Sequence, residues 1–147
     1  TSAADMADVV KSKAAEQDII IMTAAVADFC PSHPADEKIK KNDSSYESVI
    51  ELERTEDILS YLGAHKAKGQ LICGFSMETQ NMLENSKAKL AKKNADMIVA
   101  NNLKVAGAGF GTDTNVVTLI TADDCTELEI MDKSCVAARI MDRLLQM

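Results

Sequence analysis

Apolar runs that suit buried strands alternate along this chain with amphipathic segments that suit helices. This alternation constrains the fold more than any other feature. The runs at 18–26, 71–75 and 96–100 are short and largely apolar, as is typical of strands covered on both faces in a parallel sheet. A helix-like segment precedes each run. Three such repeats predict an α/β fold of the Rossmann-like, doubly wound type with a mainly parallel sheet.

Helix boundaries are predicted from capping residues and from the apolar period. Ser2 and Asp5 have the spacing of a capping box at the start of the first helix. Thr55 is the predicted N-cap of the second helix, and Gly69 is predicted to end it. The four predicted helices span residues 2–17, 55–68, 81–93 and 136–145.

The remaining segments predict loops and antiparallel strands. Pro31 and Pro34 predict that the stretch after the first strand is a loop. Alternating apolar and charged residues at 38–41 and 47–53 predict two strands, or an exposed flap, joined by a turn. Near the C-terminus, the segments 115–121 and 126–131 flank a turn-like sequence. We therefore expect a C-terminal β-hairpin followed by the last helix.

Composition excludes several classes of protein. A chain of 147 residues with 46% hydrophobic and 27% charged residues suits one folded domain. No apolar run reaches the roughly 20 residues that a membrane helix needs, and the N-terminus has no signal-peptide pattern. We therefore expect a cytoplasmic protein without a membrane span. The formal net charge of −7 argues against a nucleic-acid surface.

Cysteine and lysine positions narrow the chemistry further. The four cysteines have wide, irregular spacings and are accompanied by two histidines, so we interpret them as reduced thiols rather than metal ligands. Cys30 follows the first strand closely and is either a loop thiol or a catalytic one. Lysines gather at 38–41 and 87–93. Local basic clusters in an acidic chain indicate small anionic ligands, or else a solvated surface.

The ends of the predicted strands carry small residues, carboxylates and amides. These residues lie at 23–28, 74–78 and 100–102, whereas the strands themselves are apolar. In doubly wound folds, ligands bind in the crevice beyond the carboxyl ends of the parallel strands. We therefore expect the functional site at this edge of the sheet.

Short motifs at these strand ends and on the neighbouring helices occur in a distinctive order. They are AAVADF at 24–29, KIKK at 38–41, DIL at 57–59, GF at 74–75 with ET at 78–79, KL at 89–90 with Lys93 and Asp96, and Asn101. Together they resemble the phosphopantothenate-cysteine ligase family, in the form found in bacteria. The resemblance covers roughly residues 1–120, and it adds a function to a fold class that composition and periodicity alone predict.

The resemblance implies a CTP-dependent acid-amino-acid ligase that joins 4′-phosphopantothenate to L-cysteine in coenzyme A biosynthesis. In that reaction the substrate carboxylate attacks the α-phosphate of CTP, which gives an acyl-cytidylate and pyrophosphate. The amine of cysteine then displaces CMP. Cations and amide donors stabilise the developing charge, and Mg²⁺ shields the triphosphate. The resemblance also implies a homodimer and, in many bacteria, fusion to a flavin-dependent phosphopantothenoylcysteine decarboxylase.

The resemblance also assigns roles to individual residues. Lys38 resembles the family lysine that contacts the nucleotide and turns over the intermediate, so it is the catalytic candidate. Lys89 and Lys93 lie four apart on a predicted helix and match the family's nucleotide-binding pair. Asn101 either orients the substrate or ties two loops together, and no metal ligand is assigned. The nucleotide-binding residues are Met22, Thr23, Ala24, Asp28, Lys38, Asp57, Ile58, Leu59, Ser60, Phe75, Lys89 and Lys93.

The chain departs from the family pattern at its start. The family's usual first strand and Gly-Gly-Thr-like phosphate loop have no counterpart in residues 1–147, which we expect to form a single nucleotide-binding ligase domain without them. A noncatalytic nucleotide-binding or regulatory fragment is therefore the alternative. Ser76 and Asn102 stand where the family more often has Ala and Asp. A dinucleotide oxidoreductase is disfavoured, since no G-x-G-x-x-G follows a strand.

Overall fold

The computed structural model describes residues 2–35, 37–38, 49–78, 81–102, 105, 109 and 111–147. Within these ranges the helices are α1 Ala3–Ala14, α2 Ile58–Ala64, α3 Met82–Lys93 and α4 Lys133–Leu144. The strands are β1 Ile19–Met22, β2 Phe29–Pro31, β3 Leu52–Arg54, β4 Leu71–Glu78, β5 Met97–Asn102, β6 Thr114–Asn115, β7 Val117–Ile120, β8 Cys125–Glu127 and β9 Met131–Asp132.

A five-stranded sheet with the order β1-β4-β5-β7-β8 forms the centre of the molecule. The strands β1, β4 and β5 are parallel, and they contain the three apolar runs of the sequence. The strands β7 and β8 form an antiparallel hairpin that continues the sheet beside β5. The predicted α/β fold, with parallel apolar strands, a C-terminal hairpin and a last helix, is confirmed.

Helices cover both faces of this sheet, which explains the continuous apolar strands. On one face, α4 packs its buried Val136, Ile140 and Leu144 against the sheet, where Ile19 and Ile21 join the same core. On the other face, α1 and α2 pack against a second core that includes alternate residues of β1. Because successive side chains of a strand point to opposite faces, a strand buried on both sides must be apolar throughout.

The first helix is tied down at both ends. The predicted capping box is confirmed: Asp5 N donates to Ser2 Oγ (3.1 Å), and Ser2 N donates to Asp5 Oδ2 (2.7 Å). At the other end, the buried amide of Gln70 donates from Nε2 to the carbonyls of Ala14 (2.7 Å) and Gln17 (2.6 Å). The helix therefore ends at Ala14, three residues earlier than predicted.

The second helix begins later and ends earlier than the prediction of 55–68. Its N-cap is Asp57, whose Oδ1 accepts a hydrogen bond from Ser60 N (3.0 Å), and its last residue is Ala64. The predicted cap, Thr55, instead donates its hydroxyl to the carbonyl of Ala27, so the prediction was wrong. The tertiary contact with residues 27 and 28 uses Thr55 outside the helix, and Asp57 caps the helix instead.

A separate two-stranded ribbon is formed by β2 and β3, which pair antiparallel. Pro31 itself ends the short strand β2, at a ribbon end where its missing N–H is tolerated, whereas residues 32–35 lie outside any strand, as the predicted loop requires. Of the predicted strand at 47–53, the structure places β3 at Leu52–Arg54. Residues 39–48 lie outside the described ranges, and so does the predicted pairing of 38–41 with 47–53.

The remaining differences concern element ends. The first strand stops at Met22 rather than at 26, so residues 24–28 of the AAVADF motif lie in the connection to β2, and Phe29 begins that strand. The last helix begins at Lys133 rather than at 136, and the small β6–β9 ribbon was not predicted. All four cysteines are free thiols, as predicted. Among the described helices, none combines the length and the apolar character of a membrane span.

Candidate nucleotide site

A cavity of about 260 Å³ lies beyond the carboxyl end of β1, between the 24–28 connection, the start of α2 and one side of α3. The cavity is at the predicted edge of the parallel sheet. It brings together nine residues that were assigned to nucleotide binding: Met22, Ala24, Asp28, Asp57, Ile58, Leu59, Phe75, Lys89 and Lys93. Its other lining residues are Val26, Ala27, Arg54, Thr55 and Glu56.

Lys93 connects the end of α3 to the start of α2 at one side of the cavity. Its ammonium group forms an ion pair with Asp57 Oδ2 and donates to Ser60 Oγ (3.0 Å). Its side chain is mostly buried, at 13% exposure, so the carboxylate partner offsets the cost of removing the charge from water. Ser60 thus does not line the cavity but holds a residue that does.

The pKa of Asp57 reports the same interactions. Partial burial would raise the pKa of this carboxyl, but the hydrogen bonds from Lys93 and from Ser60 N outweigh it, so the pKa lies below its usual range. Asp57 therefore stays ionised at neutral pH. One carboxylate serves as both the N-cap of α2 and the counter-ion of Lys93.

Lys89 lies one helical turn before Lys93 on α3 and also points to the cavity. Its Nζ donates to the carbonyl oxygen of Phe75 (2.8 Å), which fixes the ammonium beside the central strand β4. Residues four apart share one face of a helix, and this spacing places both lysines on the cavity side. Two ammonium groups therefore line the cavity, together with the carboxylates of Asp28, Glu56 and Asp57.

The opposite rim of the cavity carries residues that sequence analysis missed. Arg54 ends β3 directly opposite Phe29, and its guanidinium carbon lies 5.3 Å from the centre of the Phe29 ring. The next residue, Thr55, donates its backbone N–H to the carbonyl of Asp28 (3.0 Å). Glu56 follows and forms an ion pair with Lys11 of α1. Their position directly before the capping Asp57 was the only signal available in the sequence.

Three predicted residues lie elsewhere. Lys38 is exposed and is not among the residues that line the cavity, and the segment after it lies outside the described ranges. Thr23 is exposed beside the two lining residues Met22 and Ala24. Asn101 is half-buried, and its Oδ1 accepts a hydrogen bond from Asn115 Nδ2 (2.8 Å). Asn101 therefore ties β5 to β6, two strands rather than the two loops of the prediction.

The cysteines contribute little to the chemistry of this cavity. Cys30 is not among the lining residues, and its thiol is 3.9 Å from Glu53 Oε1. Burial, reinforced by the charge of Asp96, raises the pKa of the Cys73 thiol to about 12. A thiol with that pKa is protonated at neutral pH and is not a nucleophile.

Comparison with known proteins identifies the family to which the chain belongs. Residues 1–147 match the family described as the DNA/pantothenate metabolism flavoprotein C-terminal domain. The Coenzyme A biosynthesis bifunctional protein CoaBC of Bacillus subtilis (strain 168) is 48% identical over 144 residues, which cover 97% of this chain and 35% of that protein. A Cysteine/Cysteine sulfinic acid decarboxylase from an unknown prokaryotic organism is 46% identical over 145 residues, covering 98% of this chain and 40% of that protein.

A solved structure shows the same fold. The crystal structure of the C-terminal domain of a Coenzyme A biosynthesis bifunctional protein CoaBC has a TM-score of 0.77 to this chain at 41% identity. The match covers 99% of this chain and 64% of that one. The chain thus spans well under half the length of the two curated relatives and about two thirds of the solved domain. With its whole length matched, the chain belongs to the DNA/pantothenate metabolism flavoprotein C-terminal domain family.

Proposed function

We propose that this domain binds CTP and takes part in the ligation of 4′-phosphopantothenate to L-cysteine, in coenzyme A biosynthesis. The observation that carries the proposal is the convergence of nine sequence-assigned residues on one cavity at the carboxyl edge of the parallel sheet. These residues come from four separate parts of the chain. The names of the relatives, which describe coenzyme A biosynthesis, support the same metabolic role.

The chemistry of the cavity suits the nucleotide half of such a reaction. In the proposed first step, the carboxylate of phosphopantothenate attacks the α-phosphate of CTP, and pyrophosphate leaves. In the second, the amine of cysteine attacks the acyl carbon, loses its proton and expels CMP, which leaves an amide. Lys89 and Lys93 would bind the phosphates, because fixed cations stabilise charge that grows on phosphoryl oxygens. The small Ala24 would let the nucleotide approach the backbone.

Mg²⁺ is proposed to enter with the nucleotide. Among the described residues, no group of three or more His, Cys, Asp or Glu side chains could hold a metal ion. Magnesium is commonly held by one or two carboxylates together with substrate phosphates, so a dedicated cluster is not required. Of the cavity carboxylates, Asp57 and Glu56 have lysine partners, which makes Asp28 the candidate ligand. When bound, the ion would shield the negative charge of the triphosphate.

The preference of the protein for CTP over ATP tests the proposal directly. Calorimetric titration of the 147-residue chain with CTP and with ATP, each with Mg²⁺, should give tighter binding of CTP. Phe75 and the backbone around residues 58–60 are the proposed contacts of the cytosine. Equal affinities would remove the cytosine assignment, and the absence of binding by either nucleotide would remove the proposed function.

The catalytic role of Lys38 is proposed from the resemblance alone. In a protein that carries out the full reaction, Lys38→Gln should slow product formation strongly while CTP affinity stays within about twofold, because its charge matters most in the charged transition states. Lys66→Gln is a control outside the cavity. Unchanged turnover by Lys38→Gln would assign the catalytic role to another residue.

A noncatalytic nucleotide-binding or regulatory role is the second candidate function. It is favoured by one observation, that Lys38 does not line the cavity in the described part of the chain. The two functions differ in pyrophosphate release. CTP binding without pyrophosphate release in the presence of phosphopantothenate and cysteine would favour the noncatalytic role, whereas release would favour the ligase.

Two proposals concern the assembly of the protein. The relatives are longer and one is named bifunctional, so we infer that this domain works beside a flavin-dependent phosphopantothenoylcysteine decarboxylase domain in the cytoplasm. We also infer a homodimer. It is supported by the apolar side chains that the β2–β3 ribbon and the preceding residues 49–50 expose, because exposed apolar patches commonly mark protein interfaces. These side chains are Phe29, Val49, Ile50 and Leu52.

A further inference from the structure

We propose that Arg54 contacts the phosphate groups of the bound nucleotide and makes a large contribution to polyphosphate affinity. This inference rests on the proposed nucleotide function and extends it to a residue that no sequence motif assigned. Arg54 is the last residue of β3 and lines the same cavity as Lys89 and Lys93. It approaches from the ribbon, whereas the lysines approach from α3.

The charges around the cavity single out Arg54. Lys93 is neutralised by Asp57, and Glu56 is neutralised by Lys11. Within the part of the chain that the structure describes, no carboxylate lies within ion-pair distance of the Arg54 guanidinium. The guanidinium carbon instead lies over the ring of Phe29. Its positive charge is therefore not already paired with a carboxylate, as the charge of Lys93 is.

The backbone on both sides of Arg54 is fixed by hydrogen bonds. Arg54 is paired with Phe29 across the β2–β3 ribbon, and Thr55 N donates to the carbonyl of Asp28 (3.0 Å). The Thr55 hydroxyl donates to Ala27 as well. Because residues 27 and 28 also line the cavity, these bonds hold Arg54 at its rim. A side chain on a fixed backbone loses less freedom when it binds a ligand.

The guanidinium group has a geometry that suits the oxygens of a phosphate. It is planar, always charged and can donate two parallel hydrogen bonds to the oxygens of one phosphate. The guanidinium carbon lies over the ring of Phe29, 5.3 Å from its centre, in a cation–π contact. Arg54 is exposed to solvent, so its charge carries no desolvation cost in the ligand-free protein.

The phosphate could belong to the nucleotide or to the acyl substrate, and the cavity favours the nucleotide. Arg54 shares this cavity with Phe75, Lys89 and Lys93, which the resemblance assigns to the nucleotide. Three probe ligands distinguish a nucleotide phosphate from the phosphate of the acyl substrate. Cytidine lacks phosphate, inorganic triphosphate lacks a base, and phosphopantothenate carries a single phosphate on a different molecule.

The test is a calorimetric titration of the wild-type chain, Arg54→Gln and Arg54→Lys with CTP, inorganic triphosphate, cytidine and phosphopantothenate. Loss of a charge-assisted contact should weaken CTP and triphosphate about tenfold in Arg54→Gln, with cytidine unchanged. Arg54→Lys should recover part of the loss, since it keeps the charge but not the paired geometry. Arg139→Gln, which removes an exposed arginine of α4 in a different groove, is the control.

The outcomes separate this inference from the proposed function. Unchanged triphosphate affinity in Arg54→Gln, or an effect as large in Arg139→Gln, would overturn the role of Arg54 while CTP binding by the wild type still supports the proposed function. A loss confined to phosphopantothenate would move Arg54 to the acyl substrate and overturn the assignment. A loss of triphosphate binding without any CTP preference would keep the role of Arg54 and remove the cytosine site. A wild-type chain that binds neither anion would overturn both.

Discussion

At the scale of single residues, the one carboxylate of Asp57 makes two stabilising interactions. It caps α2 through Ser60 N, and it is the counter-ion of Lys93, which lies 36 positions later in the chain. Both interactions favour the ionised form and lower the pKa of the carboxyl, against the opposing effect of partial burial. The start of α2 and the end of α3 are therefore held together by one charge at the wall of the cavity.

This arrangement predicts a pH-dependent contribution to stability. Because the pKa of Asp57 is lower in the folded than in the unfolded protein, the contribution is present above about pH 4 and is lost as the pH falls through the folded value. Asp57→Asn keeps a capping side chain but removes the charge. Urea unfolding from pH 7 to pH 3 should show Asp57→Asn less stable than wild type at pH 7 and similar to it at the acid end.

The control separates the cap from the ion pair. Asp57→Ala removes both and should cost about 1 kcal/mol more than Asp57→Asn at every pH, which is the typical value of an N-cap. A constant difference between Asp57→Asn and wild type across the pH range would contradict the role of the ionised carboxylate.

At the scale of elements, α2 and α3 approach so closely that one position between them has no room for a side chain. A Cβ added to Gly63 would lie 1.8 Å from the carbonyl oxygen of Lys93. Real atoms do not come that close, and a backbone oxygen cannot rotate away as a side chain can. Gly63 therefore sets the distance between the two helices and, with it, the position of Lys93 at the cavity.

Gly63→Ala should destabilise the protein although alanine favours helices. The gain in helix propensity is at most about 1 kcal/mol, whereas forcing the helices apart costs roughly 1–3 kcal/mol or more. Ala64→Gly, at the exposed neighbouring position, measures the propensity effect by itself. Urea unfolding of both variants tests the prediction. A Gly63→Ala protein as stable as wild type would show that the helices separate easily.

The strand β4 and the helix α3 share a buried hydrogen bond between Ser76 and Ser86, whose hydroxyl oxygens are 2.7 Å apart. Both side chains are buried, at 3% and 0% exposure. Ser76 stands where the resemblance leads us to expect alanine. The structure supplies the explanation, since the hydroxyl that this chain introduces into the core has a partner on the facing helix.

A double-mutant cycle tests this pairing. Ser76→Ala or Ser86→Ala alone should cost about 1–3 kcal/mol, because each leaves a buried hydroxyl without its partner. The double variant should cost less than the sum of the two, since no orphaned hydroxyl remains. Free energies of unfolding in urea give the coupling. Strictly additive effects would mean that each hydroxyl is satisfied in the other's absence.

At the scale of the whole molecule, the β2–β3 ribbon stands apart from the five-stranded sheet. A two-stranded ribbon has little stability of its own, and this one leaves apolar side chains in contact with solvent. Ile50 and Leu52 are 72% and 58% exposed. Association of two copies through this surface would cover these side chains, which is the basis of the proposed dimer.

Substitution at the ribbon should therefore weaken self-association. Burying an isoleucine contributes about 1.5–3 kcal/mol, so Ile50→Ser should raise the dimer dissociation constant at least tenfold. Val9→Ser on α1 removes an equally exposed apolar side chain, at 62%, and should leave association unchanged. Sedimentation over a range of concentrations measures both. A wild-type monomer at all concentrations would exclude the dimer, and an equal effect of the two variants would place the interface elsewhere.

Much of the cavity could be predicted from the sequence because its residues follow strands or open helices. Met22 ends β1, Ala24 and Asp28 follow it, and Asp57 is the N-cap of α2. The rim residue Arg54 could not be predicted, since its place depends on the antiparallel pairing of β3 with β2. No local pattern indicates which of several short segments will pair.

The sequence by itself determined the fold class, the capping box of α1 and the edge of the sheet where ligands are expected. These features depend on local sequence: the continuous apolar runs of strands buried on both faces, and the spacing of Ser2 and Asp5 at the start of α1. Only the tertiary structure decided which charges neutralise each other, because Lys93 with Asp57 and Lys11 with Glu56 are each brought together by packing between helices. Ion pairs act over a few ångströms, and chain folding alone sets those distances.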